Sequence, residues 1–349
     1  MSTSRWVVFE PLDTIVIRDG RDFHAGMHSE AQAVLPSPAT VAGAIGAAYG
    51  SAPGAGRAAS DVRGRDLPEQ IRGPFLVCRD GDGWRARWPI PRDVVCPLRG
   101  KPFRLRPAFL NEGEHLDLDV PAVLDDGGRR TEPMEGWWDT GTLTDYLRNG
   151  TVSERVPGKP WQWERRVGLA RAEGRTAAEG MLYMIEHLRF AEGYGLAARC
   201  MGGPDRQLPD MVNLGGRGRR AQLHRPAEIA LPARVGDFPG GRLLVYLATP
   251  AVFPGGGWRP DLRRWPGTEL ITAATGPAQP VTTATSRRGT ISDGLVMWAV
   301  PPGSVYYLRF PSEQAAAEAA AHLHEHGLDQ AEDWMRTAGF GTAFVGRWA

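Results

Sequence analysis

The chain opens with two short runs of apolar and β-branched residues, RWVVF at 5–9 and TIVI at 14–17. Runs of this length and composition indicate β-structure, and Pro11 between them predicts one strand with an interruption. Polar residues crowd around the second run, in EPLDTIVIRDGRDFHAG at 10–26. Because such polar density beside a strand is typical of a functional site, this stretch is a candidate for catalysis or for binding.

A helix and a hairpin are predicted next. The segment PSPATVAGAIGAAYG at 36–50 has apolar residues at helical spacing, with Ser37 or Thr40 suited to the N-cap and Pro38 to the first turn. The segment GPFLVCRDGDGWRARWPIP at 73–91 has two alternating runs joined by DGDG, which predicts a hairpin. A strand, a helix and a hairpin in that order open a ferredoxin-like βαββαβ unit.

The pattern then weakens. Residues from about 92 to 175 are rich in Pro, Gly and Trp, with one short helix expected at 141–148. A stretch so long and irregular is typical of a functional insertion. For residues 180–200 the periodicity leaves two interpretations open, strands or a helix.

Regular patterns return in the second half of the chain. VNLGGRGRRAQLHRP at 212–226 is a glycine-rich loop typical of a domain boundary, and β-rich runs follow it. SEQAAAEAAAHLHEHGL at 312–328 predicts a helix that begins after a serine cap and ends at a glycine. The chain is therefore expected to form two α+β domains, 1–211 with the insertion and 212–349.

Composition narrows the class of protein. The 349 residues contain no apolar run of the ~18 residues that a membrane span requires. The first residues lack the basic-then-apolar layout of a signal peptide. The three cysteines form no CxxC pair, so a disulfide scaffold is not expected and a reducing cytoplasm fits. We expect no membrane association, a cytoplasmic location, no metal and no cofactor.

The net charge is only +1, but arginine supplies all of the 41 basic residues except Lys101 and Lys159. A GC-rich genome explains most of this usage, yet arginine is also the side chain that forks onto phosphates and stacks on bases. Its clusters therefore predict a local track for a nucleic acid on a nearly neutral protein. They are Arg104/Arg106, Arg129/Arg130, Arg165/Arg166, Arg217/Arg219/Arg220, Arg263/Arg264 and Arg287/Arg288.

Some polar motifs resemble catalytic or metal sites, but each has a simpler interpretation. His24 and His28 are four residues apart without the glutamate of HExxH. Asp80 and Asp82 lack the remaining ligands of a calcium loop. The histidines of HLHEH suit the end of a helix. Aspartates after the first strand suit turns, although two of them could hold metals for phosphoryl transfer. These aspartates are Asp13, Asp19 and Asp22.

The loop LGGRGRRAQLH at 214–224 is the most specific motif. Its glycines let the backbone approach a phosphate, and three guanidinium groups lie beside them in the sequence. No helix pattern follows, which excludes a dinucleotide-binding turn, and the chain has no P-loop and no GxSxG. The alternative is a surface loop with incidental arginines.

Five segments, in this order, resemble the Cmr-type RAMP proteins of type III-B CRISPR systems. More closely, they are similar to the subunit that caps the 5′ end of the guide RNA. The resemblance runs from about residue 6 to the C-terminus, and residues 92–160 add little to it. The segments are PLDTIVIRDGRDFHAG, PSPATVAGAIGAA, VGLARAEGRTAAEGMLY, NLGGRGR and GFGTAFVGRW.

This resemblance implies two modified ferredoxin-like (RRM-like) domains without catalytic residues. It implies binding of the crRNA 5′ handle, contact with the large multidomain subunit and the backbone RAMP subunit, and indirect contact with target RNA through a thumb. We place the thumb at 155–175 rather than 92–135. A single-stranded handle is held by backbone amides, arginines and flat side chains. The expected RNA-binding residues are Arg18, Arg21, His24, Ser37, Thr40, Arg165, Arg166, Arg171, Arg175, Gly215, Gly216, Arg217, Arg219 and Arg220, with Trp161 and Trp163 nearby.

Two other functions compete with this interpretation. One is a metal-independent RAMP endoribonuclease that processes crRNA precursors, with His24 or His28 as general base on a 2′-hydroxyl. The other is an assembly scaffold whose arginines serve protein contacts only. Cleavage of repeat RNA in EDTA would identify the first. Unchanged crRNA occupancy after charge reversal of Arg217, Arg219 and Arg220 would identify the second.

Overall fold

We describe a computed structural model of the 349-residue chain. The residues that it describes are 4–17, 34–50, 67–111, 118–171, 177–203, 205, 207–216, 218–283, 286–287, 290–291 and 295–349, with only the backbone described in parts of 169–183 and 283–295.

The chain forms two compact units, each assembled from three separate stretches. The first consists of Met1–Pro74, Gly158–Ala227 and Pro280–Met297. The second consists of Phe75–Pro157, Glu228–Gln279 and Trp298–Ala349. Both units contain residues from each side of position 212, and the predicted domains 1–211 and 212–349 stay a prediction.

The structure is mixed α/β, with mostly antiparallel sheets and few helices, which agrees with the predicted α+β class. The first strands are β1 (Ser4–Pro11), β2 (Gln70–Asp80), β3 (Gly83–Pro89), β4 (Val94–Pro97), β5 (Phe103–Arg104), β6 (Arg106–Phe109), β7 (Ala122–Asp125), β8 (Thr131–Pro133), β9 (Trp137–Trp138), β10 (Trp161–Arg171), β11 (Ala177–Phe190) and β12 (Tyr194–Met201). The later strands are β13 (Met211–Asn213), β14 (Arg220–His224), β15 (Arg242–Leu247), β16 (Glu269–Ala274), β17 (Gln279–Thr283), β18 (Ser286–Arg287), β19 (Thr290–Ile291), β20 (Leu295–Ala299), β21 (Val305–Arg309) and β22 (Ala343–Arg347). The helices are α1 (Pro38–Ala48), α2 (Thr140–Asn149), α3 (Glu313–His326) and α4 (Asp333–Ala338).

The three predicted helices are confirmed, because their signals are local. Helix α1 follows Ser37, whose hydroxyl accepts a hydrogen bond from the Thr40 backbone N–H at 3.3 Å. Helix α3 follows Ser312 and ends at Gly327, as the cap residues predict. The helix expected at 141–148 is α2.

The predicted hairpin is also confirmed. Strands β2 and β3 pair antiparallel, and the Asp80–Gly83 pair closes the turn. For residues 180–200 the structure decides between the two open interpretations, because they form β11 and β12 rather than a helix.

The first unit is built around β1, which pairs antiparallel with β12 on one side and β14 on the other. Alternate β1 residues, Val7 and Phe9, enter a core with Val41 and Ile45 of α1. The interruption predicted at Pro11 separates two pairings, because Ile15 bridges to Leu188 of β11 instead of continuing the β1 ladder. This bridge ties the chain after β1 to the β10–β11 hairpin.

The second unit contains a four-stranded sheet in the order β16-β21-β15-β22. Aromatic rings fill its core: the Trp88 ring centroid lies 5.0 Å from that of Phe75 and 5.0 Å from that of Phe344. Helix α2 packs closely on β22, since a Cβ at Gly346 would lie 2.5 Å from the Leu147 carbonyl oxygen.

A buried polar network braces the strands β4 and β5 of the second unit. The Asp93 carboxylate accepts hydrogen bonds from the Tyr146 hydroxyl at 2.6 Å, from Arg104 Nε at 3.0 Å and from the Tyr307 hydroxyl. Burial raises the pKa of both phenols well above the usual value, so both hydroxyls remain protonated donors. The network pairs the buried Asp93 carboxylate with the Arg104 guanidinium, so neither charge is buried without an opposite charge.

Candidate nucleic-acid interface

Three segments that are distant in the sequence meet in the first unit. The β10–β11 hairpin is the first, and its residues pair from Trp161–Phe190 to Arg171–Ala177. The second is the stretch after β1, where Ile15 N–H donates to the Leu188 carbonyl at 2.8 Å. The glycine-rich loop is the third, and Gly216 N–H donates to the Val16 carbonyl at 2.8 Å.

Glycine is required where the glycine-rich loop meets the chain after β1. Gly215 has φ of +84°, and a Cβ there would lie 2.7 Å from Ile15 Cγ2 and 2.8 Å from the Val16 carbonyl oxygen. Leu214 N–H donates to the Arg219 carbonyl at 2.8 Å and closes the loop. The glycines therefore let the backbone approach closely, as expected, and what it approaches here is the chain after β1.

Charged side chains from the three segments converge on one carboxylate. Asp13 Oδ2 accepts a hydrogen bond from Arg219 Nη1 at 2.8 Å, and its Oδ1 lies 3.1 Å from Arg189 Nη2 and 3.8 Å from Arg166 Nη2. Glu164 accepts from Arg166 Nε and from Arg189 Nε, each at 2.7 Å. We call these five residues the Asp13 cluster. It contains three cations and two anions, all partly exposed.

The cluster favours the ionised carboxylates. A backbone hydrogen bond from Thr14, followed by the charges of Arg189, Arg166 and Arg219, lowers the pKa of Asp13. Hydrogen bonds from Arg189 and Arg166 lower the pKa of Glu164. Because each guanidinium has five N–H donors, these ion pairs orient the arginines and leave donors for a further anion.

The opposite face of the hairpin carries exposed apolar side chains beside the Arg165–Glu186 ion pair. Trp163 is 44% exposed and Val167 69%, and they lie with Arg165 on one face because strand residues alternate. Met184, the cross-strand partner of Val167, is exposed as well. Trp161 instead packs on Phe190 at a ring distance of 6.2 Å beside the core. Of the two tryptophans named from the sequence, Trp163 is therefore the one placed for stacking.

The predicted site residues have different positions. Arg166, Gly215, Gly216 and Arg219 are brought together at the Asp13 cluster, whereas Arg165 faces the other way. Ser37 and Thr40 begin α1, and their hydroxyl oxygens lie 3.3 Å apart. Arg220 is exposed at the start of β14. The backbone of Arg171 ends β10, and its side chain is not described. Outside the described residues lie Arg18, Arg21, His24, Arg175 and Arg217, together with His28.

Three members of the site were not among the binding residues expected from the sequence. The sequence patterns assigned Asp13 to a turn, and the structure shows ion pairs of Asp13 with Arg166, Arg189 and Arg219. Glu164 was detectable, because residues two apart on a strand share a face and Arg166 follows it by two. Arg189 was not detectable without the hairpin register.

Metal binding finds no support among the residues that the structure describes. They contain no group of three or more His, Cys, Asp or Glu side chains suited to a metal. Burial raises the pKa of the Cys200 thiol to about 12, so this thiol stays protonated and unreactive at neutral pH. The described part of the chain also has no helix long and apolar enough to cross a membrane.

The fold and this site define a mixed α/β protein in which a long hairpin and a glycine-rich loop present arginines together. Residues 7–348 match the family model described as CRISPR-associated protein (Cas_Cmr3). The chain belongs to this family. The match confirms the resemblance to Cmr-type CRISPR proteins.

Comparisons with other proteins add little to the family match. A chain in a cryo-EM structure of the Type III-B Cmr-beta bound to cognate target RNA is similar, with a TM-score of 0.49 and 16% identity over 86% of each chain. A chain in the same assembly bound to cognate target RNA and AMPPnP, state 1, gives the same values. The search of curated proteins found no match.

Proposed function

We propose that the chain is a non-catalytic RNA-binding subunit of a type III-B CRISPR (Cmr) complex and that it holds the 5′ handle of the crRNA. One observation carries the proposal: three segments that were expected to bind RNA meet at the Asp13 cluster. In it, Arg166 and Arg219 lie on separate elements but contact the same carboxylate.

The cluster suits a phosphate of a single-stranded handle. Asp13 and Glu164 hold the three guanidiniums in place before RNA arrives, so less side-chain entropy is lost on binding. The excess of one positive charge favours a phosphate that approaches the remaining N–H donors. On the opposite face, Trp163 offers a flat ring on which a base can stack.

The family and the architecture suggest the rest of the function. We propose that the two units contain modified ferredoxin-like domains and that the β10–β11 hairpin is the thumb near the first guide–target base pairs. The partners would be the large multidomain subunit, which performs the chemistry, and the backbone RAMP subunit, in the cytoplasm. The chain itself would take part in antiviral defence without cutting RNA.

The test uses the complex assembled with the variant R166Q/R219Q. We expect crRNA occupancy per purified complex to fall roughly tenfold, because two charge-assisted contacts to phosphate are lost. The matched control is R85Q/R234Q, which removes the same charge from exposed positions of the second unit.

Two outcomes would contradict the proposal. Unchanged crRNA occupancy in R166Q/R219Q would favour a protein-only scaffold. Cleavage of repeat RNA by the purified chain in EDTA, abolished by H24A, would show a ribonuclease instead.

A further inference from the structure

A basic groove lies in the second unit, and none of its lining residues belongs to the sequence segments that form the Asp13 cluster. It has a volume of about 470 Å³ and is lined by Pro97, Leu98, Arg99, Arg129 and Arg130. Two turns form it at one end of the β4–β8 ladder, where Leu98 N–H donates to the Arg130 carbonyl at 3.4 Å. The groove is open to solvent, and its three arginines are exposed.

Asp125 and Asp126, which lie near the groove in the sequence, bind backbone N–H groups of their own turn. The Asp125 side chain accepts from Gly127 N–H at 2.9 Å, and the Asp126 side chain accepts from Gly128 N–H at 3.0 Å. Thr131 donates its hydroxyl to the second Asp126 oxygen at 3.2 Å. The residues that line the groove include no carboxylate, although Asp125 and Asp126 shortly precede Arg129 in the sequence and Glu132 shortly follows Arg130.

The three guanidinium groups have no carboxylate partner among the described residues. Within the part of the chain that the structure describes, none of Arg99, Arg129 and Arg130 forms an ion pair, unlike the arginines of the Asp13 cluster. The Arg129 guanidinium lies 5.1 Å from the centroid of the Phe103 ring, and this stacking restricts its plane. Lys101 is exposed close by in the sequence. Three cations without a carboxylate partner on one shallow, open surface make it locally positive.

We propose that this groove binds the sugar-phosphate backbone of single-stranded RNA without regard to base sequence. Guanidinium groups suit phosphate oxygens because they donate two parallel hydrogen bonds. The lining has no amide or carboxylate that would distinguish base edges, and the Phe103 ring is already covered by Arg129. Binding should therefore depend on charge and not on sequence.

An acidic protein is the alternative occupant, and the groove suits it less well. Protein interfaces are centred on buried aromatic and aliphatic anchors, and the groove offers only Pro97 and Leu98 of this kind. The choice of RNA as the polyanion rests on the proposed function, whereas the charge of the groove does not.

The experiment measures binding of a fluorescein-labelled oligouridylate, which lacks any handle sequence, to the full chain by fluorescence anisotropy over a range of salt. The test variant is R99Q/R129Q/R130Q. Because each phosphate contact on a single strand contributes about 0.7 to the slope of log K against log salt, we expect the slope to become shallower by about 2. At low salt the affinity should fall roughly tenfold or more.

The control is R85Q/R155Q/R234Q, which removes three exposed arginines elsewhere in the second unit and should retain the wild-type slope. If both triple variants have the thermal unfolding midpoint of the wild type, neither is misfolded. An unchanged slope in the test variant, or no oligouridylate binding by the wild type, overturns the inference. Competition by polyglutamate as strong as by unlabelled RNA also overturns it, in favour of an acidic protein.

The R166Q/R219Q variant separates this inference from the proposed function. If that variant loses its preference for handle RNA over oligouridylate but keeps the response to groove mutations, both proposals hold. A response to groove mutations without any handle preference in the wild type supports the groove and contradicts the handle function alone.

Discussion

The Asp13 cluster and the basic groove each present three arginines, but they hold them in opposite ways. In the cluster, Asp13 and Glu164 bind all three guanidiniums, so the charge is nearly balanced and the geometry is fixed. In the groove the neighbouring Asp125 and Asp126 cap their own turn, so the guanidinium charge is exposed and no carboxylate fixes it. Balanced charge suits recognition of one defined RNA segment, and unbalanced charge suits attraction of any segment.

The largest expected effect concerns the buried Asp93 network, which braces β4 beside the groove. D93N removes the buried charge that pairs with Arg104 beside β4 and β5, and breaking such a pair should lower the free energy of unfolding by about 3–5 kcal/mol. Urea denaturation measures the loss. E269Q, which breaks the exposed Glu269–Arg309 pair, should cost less than about 1 kcal/mol. Equal losses in the two variants would show that the Asp93 network does not brace the second unit.

The next effect concerns how the glycine-rich loop is held against the Asp13 cluster. G215A places a Cβ at positive φ and against Ile15, so we expect a loss of about 2–3 kcal/mol in unfolding free energy and weaker handle binding. G218A also has positive φ but open space, so its cost should be nearer to about 1 kcal/mol. Thermal denaturation and handle binding are measured for G215A and for G218A. If G218A proved as damaging as G215A, the close approach to Ile15 and Val16 would not matter.

The smallest effect is a pH dependence confined to the cluster. The pKa of Asp13 is lowered in the folded state from its usual value of 3.8. The ionised side chain therefore stabilises the fold fully at neutral pH. This stabilisation is lost as the pH falls below 3.8 and through the lowered pKa. D13N should therefore destabilise the chain at pH 7 by less than about 1 kcal/mol, because the pair is exposed. This difference from the wild type should shrink at acid pH.

The groove provides the contrast for this measurement. No carboxylate lines the groove. The free energy of unfolding of R99Q/R129Q/R130Q should therefore differ from that of the wild type by the same amount at neutral and at acid pH. A D13N difference that remained constant as the pH fell would mean that the Asp13 charge contributes nothing to the fold.

The elements with local signals were predictable from the sequence. Ser37 and Ser312 cap α1 and α3, and the DGDG turn sets the β2–β3 hairpin, because each signal lies within a few residues of the element. The glycine-rich loop and Arg166 could also be named as candidate site residues, since arginines beside glycines or tryptophans indicate binding of phosphates and bases.

The β10–β11 hairpin was beyond local patterns. Residues 161–171 lay in the region interpreted as an irregular insertion, and residues 180–200 fitted strands and a helix equally well. The long β10–β11 ladder and the Ile15–Leu188 bridge beside it join residues that no short sequence window contains together. For the same reason Arg189 was not named, because its contact with Asp13 exists only in the folded register.

The most direct test is a cryo-EM structure of the assembled complex loaded with crRNA. Guanidinium nitrogens of Arg166, Arg189 or Arg219 should lie within about 3 Å of phosphate oxygens of the 5′ handle, the distance of a charge-assisted hydrogen bond. A map in which the handle runs elsewhere and the Asp13 cluster faces only protein or solvent would contradict the handle-binding function.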